Sequence, residues 1–131
     1  MDAALYVNKG NIIGALTQMS GPMDQMKYVR EMSVAYGKTI ELEPDSVGGH
    51  FGRGMIRFYT PKAFGGDLDG AISDFEFVIS KASSNLQAYF FLGKAYNRKG
   101  EKDKAITHFE KVLALDPQNQ EAKKQLAQLR K

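Results

Sequence analysis

The chain contains two histidines, His50 and His108, and no cysteine. Neither imidazole has further Cys, His or Asp side chains at ligand spacing, so a zinc-type site is not assembled along the sequence. No metal and no cofactor is expected. His108 lies between Thr107 and Phe109 and reads as a solvated helix residue, whereas His50 reads as a packing residue. Gly48-Gly49 and Gly65-Gly66 lack the Lys-Ser/Thr that follows a phosphate-cradling loop, and no strand precedes Gly52-Arg53-Gly54. No serine nucleophile motif is present. The carboxylate pairs Glu41/Glu43 and Asp67/Asp69 fall at helix ends, where Asp67 and Asp69 complement the dipole of the helix that follows. No residue is assigned a catalytic role, and the chain reads as non-enzymatic. What remains is recognition chemistry, and cations beside aromatic rings are the candidates: Lys94 and Arg98 close to Phe90, with Phe51, Met55, Phe58 and Tyr59 earlier in the chain.

Those side chains must be carried by helices. Shifting the chain by 34 residues places Ala71, Ile72, Phe75, Val78 and Ile79 on Ala105, Ile106, Phe109, Val112 and Leu113, all apolar. Their spacing is one face of a 3.6-period helix. An earlier, degenerate copy runs through Met32, Ser33, Tyr36, Thr39 and Ile40. It ends in Glu43-Pro44-Asp45-Ser46, which parallels Asp116-Pro117-Gln118-Asn119. A proline pushes the preceding residue out of the α region, so each helix stops there. The pattern predicts helices over 3–19, 23–42, 47–60, 68–81, 86–98, 102–115 and 119–130, the last with one apolar stripe (Ala122, Leu126, Leu129) and a wet face.

The clearest copy carries Tyr89, Leu92, Gly93, Tyr96, Gly100, Ala105, Phe109 and Pro117. This segment resembles a tetratricopeptide repeat, a 34-residue helix–turn–helix unit. Gly93 and Ala105 are read as small because two helices cross closely there, with Tyr96 and Phe109 filling the space beside the crossing. In the middle copy Gly54, Ala71 and Phe75 keep the pattern, while His50 and Arg53 replace its usual aromatic and Leu. Seventeen residues separate Gly54 from Ala71 against twelve between Gly93 and Ala105, so five residues are inserted within 58–67. The expected architecture is all-α: one domain over 1–131, with repeats at about 3–45, 46–84 and 85–118 and a capping helix over 119–131. The resemblance implies a right-handed superhelix whose concave face is lined by the first helix of each repeat.

On that implied face the expected groove comprises Phe51, Met55, Phe58 and Tyr59 from the second repeat. The third repeat adds Gln87, Phe90, Lys94, Asn97 and Arg98. In the first repeat Asn8, Asn11 and Gln18 are candidates. An apolar floor with two cations at one end suits a peptide with an apolar anchor and a nearby acidic group. Tetratricopeptide co-chaperones grip heat-shock chaperone tails with a two-carboxylate clamp. Here Gly52, Gln87 and Phe91 occupy three of the five clamp positions, so that partner is not expected. Pro61-Lys62-Ala63-Phe64-Gly65-Gly66-Asp67-Leu68-Asp69-Gly70-Ala71 is similar to a segment of some bacterial tetratricopeptide proteins, among them transporter-associated lipoproteins. That similarity implies a second expectation: a carrier that sequesters a small apolar molecule among Phe51, Met55, Phe58, Tyr59 and Phe90. Self-association through the first repeat is a third.

The charge pattern narrows the partners further. The chain carries 18 Lys/Arg and 15 Asp/Glu, a net +3, with the signs interspersed rather than gathered in the basic stripe of a nucleic-acid binder. From Lys94 onward ten basic residues face five acidic ones. No apolar run reaches the length of a membrane span, so no membrane crossing is expected. The first residues, Met1-Asp2-Ala3-Ala4, do not read as a signal peptide. The expected location is cytoplasmic by default, or periplasmic if Met1 follows a removed export signal.

Overall fold

The computed structural model describes residues 21–131. Over these residues it shows six α-helices and no strand: α1 Pro22–Leu42, α2 Val47–Tyr59, α3 Leu68–Lys81, α4 Leu86–Lys99, α5 Lys102–Leu115 and α6 Gln120–Leu129. A single 3-10 turn, Lys62–Phe64, sits between α2 and α3. The expected helix over 3–19, with Asn8, Asn11 and Gln18, lies outside the described residues.

The helix starts are written in short side-chain caps. Ser46 Oγ accepts from the Gly49 N–H at 2.9 Å, Asn85 Oδ1 from Ala88 N–H at 3.0 Å, and Asn119 Oδ1 from Ala122 N–H at 2.9 Å. Each satisfies one of the donors that a helix N-terminus leaves without an internal partner. Asp67 does the same for the Gly70 N–H at 2.8 Å, so the carboxylate expected at that helix end acts as a cap. Pro22 occupies the first turn of α1, where no N–H is needed. Gly100 ends α4 with φ of 88°, a left-handed conformation that glycine adopts without a Cβ penalty.

The chain divides into two compact units, residues 1–74 and 75–131, and the boundary falls inside α3. In the first unit α1 buries Met32, Ala35, Tyr36 and Thr39, and α2 buries Met55, Ile56 and Phe58. The glycines of α2 permit this: a Cβ on Gly52 would collide with the Tyr36 ring. In the second unit Phe75 stacks on Phe91 with centroids 5.8 Å apart. Ala105, Phe109, Leu126 and Leu129 form one buried cluster, and Tyr89, Val112 and Ala122 another. A Cβ on Gly93 would lie 2.7 Å from Phe109 Cε1, so the small residue sits where the aromatic of the neighbouring helix presses in.

Candidate binding site

Of the residues expected to line a groove, those on α4 lie on an accessible stripe. Asn97 and Arg98 are exposed, and Lys94 and Phe90 are half-buried. The Lys94 ammonium stands 5.6 Å from the Phe90 ring centroid and 5.9 Å from that of Phe91. Cation–π contacts of this kind hold a lysine stem down over apolar surface while its head stays wet. Phe90 itself is anchored inward. Its ring meets Phe91 and Phe109 edge-on, with centroids 5.6 and 5.7 Å away. It packs against both buried clusters of its unit, so it is part wall and part core.

On α2 the expected stripe separates. Phe51 and Tyr59 are half-buried, but Met55 and Phe58 are only 5% and 2% exposed. These two are core residues and not groove walls. The physical reason is that α2, carrying four glycines, is enclosed over most of its circumference: Gly49, His50, Gly52, Gly54, Met55, Ile56 and Phe58 are all buried.

The more consequential finding on α2 is ionic. Asp74 of α3 is 2% exposed. Arg53 donates to it through Nε at 3.0 Å (Oδ2) and Nη2 at 2.7 Å (Oδ1). Arg57 Nη1 donates to Oδ2 at 3.1 Å. His50 Nδ1 lies 3.3 Å from Oδ1, and its Nε2 lies 3.0 Å from the Pro44 carbonyl oxygen. The hydrogen bonds to Asp74 hold the Arg53 guanidinium above its ordinary range, against the opposing effect of burial. In the 39-residue register, His50, Arg53 and Arg57 stand where the third repeat has Tyr89, Leu92 and Tyr96. Asp74, which lies beyond the five-residue insertion and so in the 34-residue register, stands where it has His108. There the corresponding contacts are between rings, with Tyr96 and His108 centroids 5.2 Å apart and Tyr89 and His108 6.4 Å apart. His108 is therefore a half-buried packing residue and not the solvated one expected. Its side chain is 16% exposed, and its Nδ1 lies 2.7 Å from the Lys104 carbonyl oxygen. One repeat closes its helix pair with aromatics and the other with a buried salt-bridge cluster. Aligning Asp74 with His108 and Arg57 with Tyr96 was the signal that could have exposed it.

Tyr96 adds a polar tie. Its hydroxyl donates to Glu76 Oε1 at 2.9 Å. Burial, with the Glu76 hydrogen bond and charge adding to it, pushes this phenol up to about 12. Among the described residues no group of three or more His, Asp or Glu side chains could hold a metal ion. No described helix is long and apolar enough to cross a membrane.

The tetratricopeptide repeat family profile matches residues 86–119. A DnaJ protein P58IPK homolog of Arabidopsis thaliana is 37% identical over 65 residues, which is 50% of this chain and 14% of that protein. The rice homolog B is 36% identical over 58 residues, 44% of this chain and 12% of that protein. The chain thus spans about one-seventh or less of these curated relatives. Among solved structures, the Arabidopsis OM64 TPR domain superposes with a TM-score of 0.76 at 20% identity, covering 98% of this chain and 93% of that one. The first TPR of Spaghetti (RPAP3), bound to an HSP90 peptide, gives 0.73 at 19% identity, covering 99% and 94%. The family match and these superpositions agree: the chain carries a tetratricopeptide repeat at 86–119 within an all-α fold of the tetratricopeptide type.

Proposed function

We propose that this chain is a non-catalytic interaction module that holds a peptide segment of a partner protein against the α4 stripe. Proteins built of tetratricopeptide repeats generally serve as interaction modules, and that broad role is supported by the family match and the structural neighbours. The observation that carries the finer reading is the α4 face itself. Asn97 and Arg98 are exposed beside Lys94, which stands over the Phe90 and Phe91 rings. A cationic and amide edge above a partly open aromatic suits a segment with a carboxylate and a neighbouring apolar side chain. RPAP3 binds an HSP90 peptide in its own structure, but the same tail is not proposed here. Gly52 and Phe91, at two of the clamp positions, are buried, and neither can supply a cation.

The test is site-specific photocrosslinking from Asn97 in cells, with the recovered segment made as a synthetic peptide. Its affinity should fall by about tenfold or more when Lys94→Glu and Arg98→Glu are combined. Crosslinks equally abundant from Lys123 on α6, or an unchanged affinity in the double variant, would refute the reading.

A further inference from the structure

Two departures from the regular repeat meet in the first unit. α1 has 21 residues and α2 has 13, and the two helices are joined by a short turn. Eight residues of α1 therefore overhang the end of its partner, roughly 12 Å of helix. The inserted segment after α2 turns back toward that overhang. Between them lies a cavity of about 720 Å³, within the ~300–1,000 Å³ range of ordinary ligand pockets. Its apolar walls include Met26 and Val29 from α1 and Tyr59, Pro61 and Phe64 from the other side. Phe64 and Met26 remain 51% and 39% exposed.

The wall at the insertion is a tied structure. Phe64 and Gly66 N–H groups both donate to the Pro61 carbonyl, at 2.9 and 3.0 Å, and the Gly65 N–H donates to Lys62 at 3.2 Å. Asp67 N–H donates to Arg57 at 3.1 Å. Gly65 has φ of 98°, and a Cβ on Gly66 would collide with the Thr60 carbonyl, so both glycines are required by the turn. Together with Met26, Phe64 therefore presents a fixed apolar edge to the solvent at the mouth of the cavity. These hydrogen bonds hold the Phe64, Gly65, Gly66 and Asp67 N–H groups within the turn, beyond the first turn of α1 its N–H groups are engaged within the helix, and neither wall is a strand. An extended peptide would find no ladder to join. With no strand edge on either wall, a helix, whose backbone is satisfied internally, is the occupant that fits.

Charge narrows it further. The stretches 22–30 and 59–64 carry Lys27, Arg30 and Lys62 against Asp24 alone, and Glu31 follows on α1. Arg30 itself lines the cavity. Lys27 and Lys62 adjoin the lining residues Met26, Pro61 and Ala63 in the chain, and one cation at the cavity with two at its margin matches several carboxylates better than the single charge of an acyl chain.

We propose that this cavity docks an acidic amphipathic helix of a partner protein, its apolar side chains entering between Met26 and Phe64 and its carboxylates meeting Arg30, Lys27 and Lys62. Every residue of the site lies outside the 75–131 unit that carries the α4 stripe, so the two sites stand or fall separately. The test is fluorescence anisotropy of the full chain with a fluorescein-labelled helical peptide of repeated Leu-Leu-Glu-Glu. Saturable binding is expected. Combining Met26→Ala with Phe64→Ala should weaken it by about tenfold. Arg30→Glu with Lys62→Glu should do the same and reduce the salt dependence. Lys123→Glu with Lys124→Glu, an equal charge change on α6, should leave it within about twofold. Circular dichroism checks that the variants keep their helices, which the exposure of all four site side chains favours. Absence of saturable binding, equal weakening by both charge-reversal pairs, or equal affinity for the Lys-for-Glu peptide overturns the proposal. Displacement of the peptide by micromolar decanoate would assign the cavity to an acyl chain, and a dimer dissociated by the peptide would assign it to a second copy; either also overturns it.

Discussion

Asp74→Ala probes the salt-bridge cluster most directly. The carboxylate is 2% exposed and is met by two guanidinium groups and an imidazole. Removing one partner of a buried ion pair costs about 3–5 kcal/mol, because the remaining charge keeps its desolvation penalty without its partner. Here the Arg53 and Arg57 side chains are 29% and 31% exposed, so each can turn toward water and recover part of its hydration. That lowers the expected loss to about 2–3 kcal/mol. For a chain of this length it corresponds to a fall in Tm of about 10 °C. Urea unfolding followed by far-UV circular dichroism measures it, with the midpoint moving and the slope unchanged. A fourfold variant, His50→Tyr, Arg53→Leu, Arg57→Tyr and Asp74→His, installs the ring contacts of the third repeat. It should restore the parent stability to within about 1 kcal/mol, since replacing a whole buried ionic cluster by packed side chains is often neutral or better. A loss below about 0.5 kcal/mol for Asp74→Ala would refute the claim that the cluster closes this helix pair.

Three further outcomes are expected. Gly93→Leu should destabilise by about 3 kcal/mol in urea unfolding, because the Cβ alone would already meet the Phe109 ring at 2.7 Å; an unchanged midpoint would break the repeat register. Phe90→Ala should cost about 2 kcal/mol as well as any binding, since its ring is half-buried between two clusters; a full-strength fold would return it to the groove alone. Burial, with Tyr28 adding in one case and Glu76 in the other, pushes Tyr36 and Tyr96 up to about 12, above the ~10 of an unfolded chain. Raised folded values mean their stabilisation is complete below about pH 10 and is lost as pH rises toward 12. Thermal melts across that window should show the fall, and Tyr96→Phe should flatten it.

The local features of this protein were legible in its amino acids. Pro44 and Pro117 marked helix ends, and helix bounds read from periodicity alone agree with the structure to within a residue or so at 86–98 and 102–115. Gly93, Phe109 and their spacing announced a close crossing that the structure contains. These are nearest-neighbour properties, set by caps, breakers and a 3.6-residue period, and a repeat displays them twice. What a side chain faces across a longer separation was decided only by tertiary structure. His50 and Arg53 were visible as departures from the repeat, but their meaning required Asp74, 24 and 21 residues away. Met55 and Phe58 shared a helical stripe with Phe51, yet burial depends on what encloses a helix, and α2 is enclosed on most sides. The cavity at Met26 and Phe64 arises from the difference in length between two helices and the turning back of an insertion. Neither is a property of any residue by itself, so only the packed chain could reveal it.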